Sequence, residues 1–187
     1  DRSPSRGLGD VYKRQEYSGQ LKELFETSFG KNYMSRGRIE RYIAGGTPFK
    51  MAVEGEALMG AILFIPATAA EIEEHIKMDR ETILGMCGGK PALICKCACT
   101  YARYQGEGIA KKILEECMKE VEKQGYGAVF TTLWEYNGGV PAEKMFVDLR
   151  FQRGVKLNMP WYEDENYICS ECGGRCRCNG IVYYKII

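Results

Sequence analysis

A single histidine, His75, stands among 187 residues. That scarcity removes the hydrolases built on Ser–His–Asp or Cys–His pairs, which need an imidazole beside the nucleophile. Excess charge of one sign is missing too. Twenty-six basic and 25 acidic side chains leave a net charge of +1, so no global field favours nucleic acid or an anionic membrane. No apolar run approaches the ~18–20 residues of a membrane span. No secretory leader is legible. The nine cysteines are therefore expected to be reduced thiols of a cytoplasmic protein, not the disulfide framework of a secreted one. What remains is ordinary globular material, 45% hydrophobic and 27% charged. The length suits one domain, and a domain of this size buries roughly 70% of its unfolded surface, so neither disulfide nor metal is needed merely to fold.

Residues 1–15 show no apolar periodicity. Ser5 to Gln15 resemble a translated transposon-type sequencing adapter, and the segment is expected to be non-native, leaving one domain over residues 16–187. Within it, Leu21, Leu24, Phe25 and Phe29 predict an amphipathic helix over 16–28. Ser35 would cap a second helix that stops at Gly45-Gly46. Strands are expected at 49–53 and 57–65, joined by a hairpin at 54–56. Residues 67–78 look helical, and 92–100 read as a buried strand on which Cys95, Cys97 and Cys99 would share one face. A strong amphipathic helix follows over 108–124, buried through Ile109, Ile113, Leu114, Cys117, Met118 and Val121. Then come a strand at 128–134, a helix at 141–149, and strands near 154–159 and 181–187. That order indicates a mixed α/β fold with a single sheet.

The chemistry concentrates where strand 92–100 meets helix 108–124. The turn between them is Gln105-Gly106-Glu107-Gly108. A glycine turn at a helix N-terminus offers unpaired backbone N–H groups and the positive end of the helix dipole, which together bind phosphate without a basic side chain. A Rossmann fingerprint is excluded, because its third glycine and downstream acid are absent. A P-loop is excluded because Gly-Lys-Ser/Thr is missing.

Gln105-Gly-Glu-Gly108-Ile109-Ala110 resembles the Gln/Arg-x-x-Gly-x-Gly/Ala signature of the GNAT superfamily of acetyl-coenzyme A-dependent N-acyltransferases. The resemblance extends to the order of elements from about residue 18 to 187. It implies a GNAT-like fold and acetyl-CoA as co-substrate, with the pyrophosphate on residues 105–110 and the pantetheine arm along the backbone of Cys99 and Thr100. It implies an acetyl transfer to the amine of a small molecule or peptide, by direct attack in a ternary complex. A homodimer stays open. The family's usual general acid is a tyrosine, but that position is Phe146, which has no proton to donate. The glycine that follows in the family is Arg150, and Asn137 lies two residues further upstream than expected. Tyr136 or a water would then protonate the thiolate, or no acid is needed because a thiolate is a stable leaving group, and Glu135 would serve as general base. A non-catalytic acyl-CoA-binding protein is the alternative.

Cys169, Cys172, Cys176 and Cys178 fall within ten residues, with Gly173-Gly174 between their halves. Four thiolates can surround one zinc, and glycines let a short loop turn back. A disulfide, plain thiols and an iron–sulfur cluster stay open. If metal is held, it would stiffen the loop on the acceptor side. A zinc knuckle that contacts partners through Arg175 and Arg177 is a further alternative. Trp134, Trp161, Tyr162 and Tyr167 either line an acceptor pocket or form one aromatic core. Glu163-Asp164-Glu165 reads as a solvated turn able to attract a cationic amine. His75 reads as a surface helix residue.

Overall fold

The computed structural model describes residues 16–187, so the expectation for residues 1–15 lies outside the described residues. Helix α1 (Ser18–Phe29) buries Leu21, Leu24 and Phe25, the spacing that predicted it. A two-residue strand, β1 (Gly30–Lys31), follows. Helix α2 (Arg36–Ala44) starts where Ser35 accepts a hydrogen bond from the Arg38 N–H. The hairpin β2 (Phe49–Glu54) and β3 (Ala57–Ala67) comes next.

The expected helix over 67–78 is two helices. A capping box between Thr68 and Glu71 opens α3 (Ala69–Ile76), which ends where Lys77 turns left-handed at φ 55°. Asp79 then caps α4 (Arg80–Cys87), ended by Gly88. Only Ile83 and Cys87 of α4 are buried, too few to show a period in sequence. His75 is less exposed than expected. Burial, with Lys96 and Lys77 nearby, lowers its imidazole to about 4.

The remaining elements are β4 (Ala92–Thr100), α5 (Ile109–Lys123), β5 (Ala128–Glu135), α6 (Glu143–Asp148), β6 (Gln152–Leu157), β7 (Ile168–Cys169) and β8 (Asn179–Ile186). Helix α5 buries the six residues its sequence pattern names. Six strands form one sheet in the order β2-β3-β4-β5-β8-β6, antiparallel except for the β4–β5 pair. A second sheet, the two-stranded ribbon β1–β7, lies outside it and was not expected. One face of the main sheet packs α5 around Phe64, Leu93, Val129 and Tyr183. The other packs α1 and α2 over Leu63 and Cys97, and α3 and α4 over Ile94 and Phe130.

The expectation that three cysteines of β4 share a face is corrected by a β-bulge. Leu63 pairs with Cys97 and Phe64 with Cys95, which leaves Lys96 as the extra residue. The alternation slips there. Cys95 packs among the α5 residues, whereas Cys97 and Cys99 pack under α1 and α2.

Candidate active site

Two parallel strands part in the middle of the sheet. β4 and β5 pair only through Ala92–Ala128, Leu93–Val129 and Ile94–Phe130. Beyond that point β4 stays on β3 as far as Thr100, and β5 stays on β8 as far as Glu135. The wedge that opens between them is bridged at its apex by one side chain, where the Thr131 hydroxyl donates to the Cys95 carbonyl at 3.1 Å. On the α1 side, the Tyr33 hydroxyl donates to the Lys96 carbonyl at 2.6 Å. Strand edges without a ladder partner offer backbone donors and acceptors to whatever enters.

At the open end of β4 the chain makes a short 3-10 turn (Ala102–Tyr104) and reaches Gln105. Gly106 and Gly108 take φ of 82° and 74°, which glycine adopts without strain. A Cβ on either would meet nothing within 4 Å, so the space above the turn is free for a ligand. Gly108 is the N-cap of α5, with no side-chain cap and no acid in the first turn. Helices α2, α3 and α4 all carry such caps. The longest helix among the described residues thus starts without a side-chain cap, with Gln105, Gly106, Glu107 and Gly108 exposed, Ile109 buried beneath and Ala110 between. Arg103, which the sequence reading passed over, lies over the rings of Tyr101 and Tyr104 at 5.4 and 5.0 Å. That stacking fixes a cation two residues before the turn. The Cys99 side chain faces α1, where burial raises its thiol to about 12, so only its backbone can face the wedge.

Phe146 is fully buried, edge-on to Phe151 at 5.0 Å between ring centroids, and belongs to the core. Arg150 takes φ 64° just past α6, the left-handed conformation a glycine would favour. The backbone there keeps the glycine geometry of the resemblance although the residue has changed.

Glu135 and Tyr136 end β5. The Glu135 carboxylate turns towards β8 and β6. It pairs with Lys156 and accepts from Asn179 Nδ2 at 3.2 Å, and the Lys156 contact holds it below the usual carboxylate range. Tyr136 exchanges backbone hydrogen bonds with Gly139 around Asn137 and Gly138, both at positive φ, the geometry of a tight hairpin turn. These residues border an open cleft of about 490 Å³ shared with Lys156, Arg177, Cys172 and Cys178.

Across the wedge lies an aromatic wall. Phe29 stacks on Tyr33 at 4.5 Å, and Trp134 meets Phe29 and Trp161 at 5.6 and 6.3 Å. Tyr33 also meets Tyr167 at 6.1 Å. Trp134, Trp161 and Tyr167 join this wall, whereas Tyr162 lies under Arg175, which pairs with Glu165. Lys96 lies 5.8 Å from the Tyr33 ring centre, and burial, with Arg38 nearby, lowers its ammonium below the usual lysine range. Neither Tyr33 nor Lys96 stands out in the sequence, because one sits in a loop and the other at a bulge. The knuckle closes the wall. The sulfurs of Cys169, Cys172, Cys176 and Cys178 all lie within 4.8 Å of one another. Among the described residues no helix is long and apolar enough to cross a membrane.

No protein-family model matches the chain, and no curated protein matches it in sequence. Solved structures do match. The NatC complex bound to Gag peptide and CoA is similar with a TM-score of 0.67 at 12% identity, over 99% of this chain and 96% of that one. Arabidopsis thaliana NAA60 in complex with acetyl-CoA gives 0.66 at 17%, over 92% and 94%. Drosophila melanogaster polyamine N-acetyltransferase, which catalyses the formation of N-acetylagmatine, gives 0.62 at 12%, over 95% and 97%. The chain has the fold of these N-acetyltransferases, the GNAT fold expected from its sequence.

Proposed function

We propose that this protein is an acetyl-CoA-dependent N-acetyltransferase that acetylates a primary amine on a small molecule or peptide. One observation carries the reading: the wedge between β4 and β5 leads directly to the uncapped N-terminus of α5. In this reading the pantetheine arm pairs with the free edge of β4 at Cys99 and Thr100. The pyrophosphate rests on the N–H groups of residues 105–110, and Arg103 adds a cation. The solved structures with this fold that carry CoA or acetyl-CoA support it.

The amine attacks the thioester carbonyl, the C–N bond forms, and the C–S bond breaks with the electron pair leaving on sulfur. The ammonium must first lose a proton. We keep Glu135 as the candidate acceptor of that proton, its carboxylate facing Lys156 and Asn179 on the β8 side of β5 and having to turn towards the wedge to act, and Tyr136 as the candidate donor to the thiolate. Lys96 is a second proton acceptor to test, since its burial favours the neutral amine. The nine cysteines suit a reducing cytoplasm.

Calorimetric titration of acetyl-CoA tests the first step. Gly106→Ala adds a Cβ that meets no neighbour but sits at φ 82°, a strain of about 1–2 kcal/mol that circular dichroism and thermal unfolding of the variant check, and it intrudes on the anion's approach. Micromolar binding by the natural protein, weakened at least about tenfold by Gly106→Ala, supports the reading. Thiol release with a panel of amines and N-terminal peptides then identifies the acceptor. A well-folded protein that binds no acetyl-CoA would overturn it.

A further inference from the structure

We propose that Cys169, Cys172, Cys176 and Cys178 hold one zinc ion, and that the closed knuckle sets the position of the acceptor wall. The second half of this proposal rests on the acetyltransferase reading; the first does not.

The sulfur geometry supports a metal. Sulfurs about 2.3 Å from a central zinc stand about 3.8 Å apart along the edges of a tetrahedron. Cys178 Sγ lies 3.9 Å from Cys169 Sγ and 3.7 Å from Cys172 Sγ. Three of the four cysteines are buried and Cys172 is exposed, the arrangement of a closed structural site. The loop is shaped around the sulfurs. Gly173, at φ 67°, donates its N–H to the Cys169 carbonyl at 3.0 Å, and the Cys169 N–H donates to the Gly174 carbonyl at 2.9 Å. The Arg177 N–H donates to Cys172 Sγ at 3.3 Å, the kind of contact that steadies sulfur charge. Binding would release four protons and leave the ZnS4 unit with two negative charges, with Arg175 and Arg177 close by in sequence.

The knuckle is tied to the wall by backbone. Cys169 and Ile168 form β7 and pair with Gly30 and Lys31. The Ser170 N–H donates to the Phe29 carbonyl at 3.0 Å, and the Tyr167 hydroxyl donates to the same carbonyl at 2.6 Å. Phe29 in turn carries Tyr33 and Trp134. Gly30 is the tightest point, since a Cβ there would lie 2.0 Å from the Ile168 carbonyl oxygen. Metal binding thus fixes the segment that follows α1, and with it the Tyr33 ring at the wedge. The coenzyme turn, at the end of β4, shares no residue with this path.

Elemental analysis of the purified full chain should find one zinc per molecule. Cobalt substitution should give the intense thiolate charge-transfer absorption of a tetrahedral S4 site. Cys172→Ser, the mildest change because that residue is exposed, should lower zinc affinity at least tenfold. Stripping the metal with a mercurial and a chelator should shift the fluorescence of Trp134 and Trp161. It should also raise the acceptor KM at least tenfold while acetyl-CoA affinity stays within twofold. Folded protein that holds no zinc, or holds a disulfide or an iron–sulfur cluster, overturns the metal site. Metal loss that leaves the fluorescence and the acceptor KM unmoved overturns the link to the wall. If no amine is acetylated, the stoichiometry, the cobalt spectrum and the fluorescence still decide the metal site.

Discussion

Mild acid should weaken this protein through one residue. His75 has its imidazole lowered from 6.5 to about 4 by burial, with Lys96 and Lys77 adding like-charge repulsion. Its acidic neighbour Glu73 is already paired with Arg80. Between those two pH values the unfolded chain binds a proton that the folded chain does not. Stability is therefore full above about pH 6.5 and falls as the pH drops towards 4. From pH 7 to pH 5 the difference in proton binding amounts to about 2 kcal/mol at most. The ring is partly open to water, so about 1 kcal/mol is expected. The carboxylates of Glu26, Asp79, Glu135 and Asp148 are held below their ordinary values, 4.5 for Glu and 3.8 for Asp, and lose their contribution only at lower pH. Urea unfolding at pH 7, 6 and 5, followed by tryptophan fluorescence, should show the natural protein losing about 1 kcal/mol more than His75→Gln. Every other acid-sensitive group is common to both proteins, so the difference isolates the ring. Equal losses in the two proteins would refute the reasoning.

Other changes separate strain, packing and chemistry. Arg150→Gly removes a left-handed non-glycine residue and should stabilise the protein by about 0.5–1 kcal/mol in thermal unfolding. Gly127→Ala would put a Cβ 2.1 Å from the Cys87 carbonyl oxygen, and should cost about 2 kcal/mol or more by forcing β5 and α4 apart. Glu135→Gln should lower kcat about 100-fold with acetyl-CoA affinity unchanged. If Lys96→Met does so instead, and abolishes the acidic limb of the pH–rate profile, the proton goes to Lys96.

Much of this fold was legible because it rests on periodicity. The α5 pattern named all six of its buried residues, and Ser35 marked the start of α2. The features that went unread have no period. β1 and β7 are two residues each, and α4 buries only two side chains. The bulge at Lys96 is a matter of register with Leu63 and Phe64, which one strand's own sequence does not encode. The same holds for the site. The glycine turn is contiguous and stood out, and the four cysteines of the knuckle were visible as a spacing. The aromatic wall draws on residues 29, 33, 134, 161 and 167 from separate segments, and only the fold brings them together.

The place of β8 has a consequence for how the chain is made. This last strand lies between β5 and β6, pairing with both. Until residues 179–186 have left the ribosome, β5 keeps a bare edge and β6 has no neighbour in the main sheet. The emerging polypeptide must therefore hold an incomplete sheet open from residue 135 until residue 179 is made, with Val129, Phe130 and Leu133 on a strand that another chain could pair with. Sheet closure is a late, nearly all-or-none event. A chain cut ahead of residue 179 would therefore be an aggregation hazard, because β5 and β6 would both lack their shared partner.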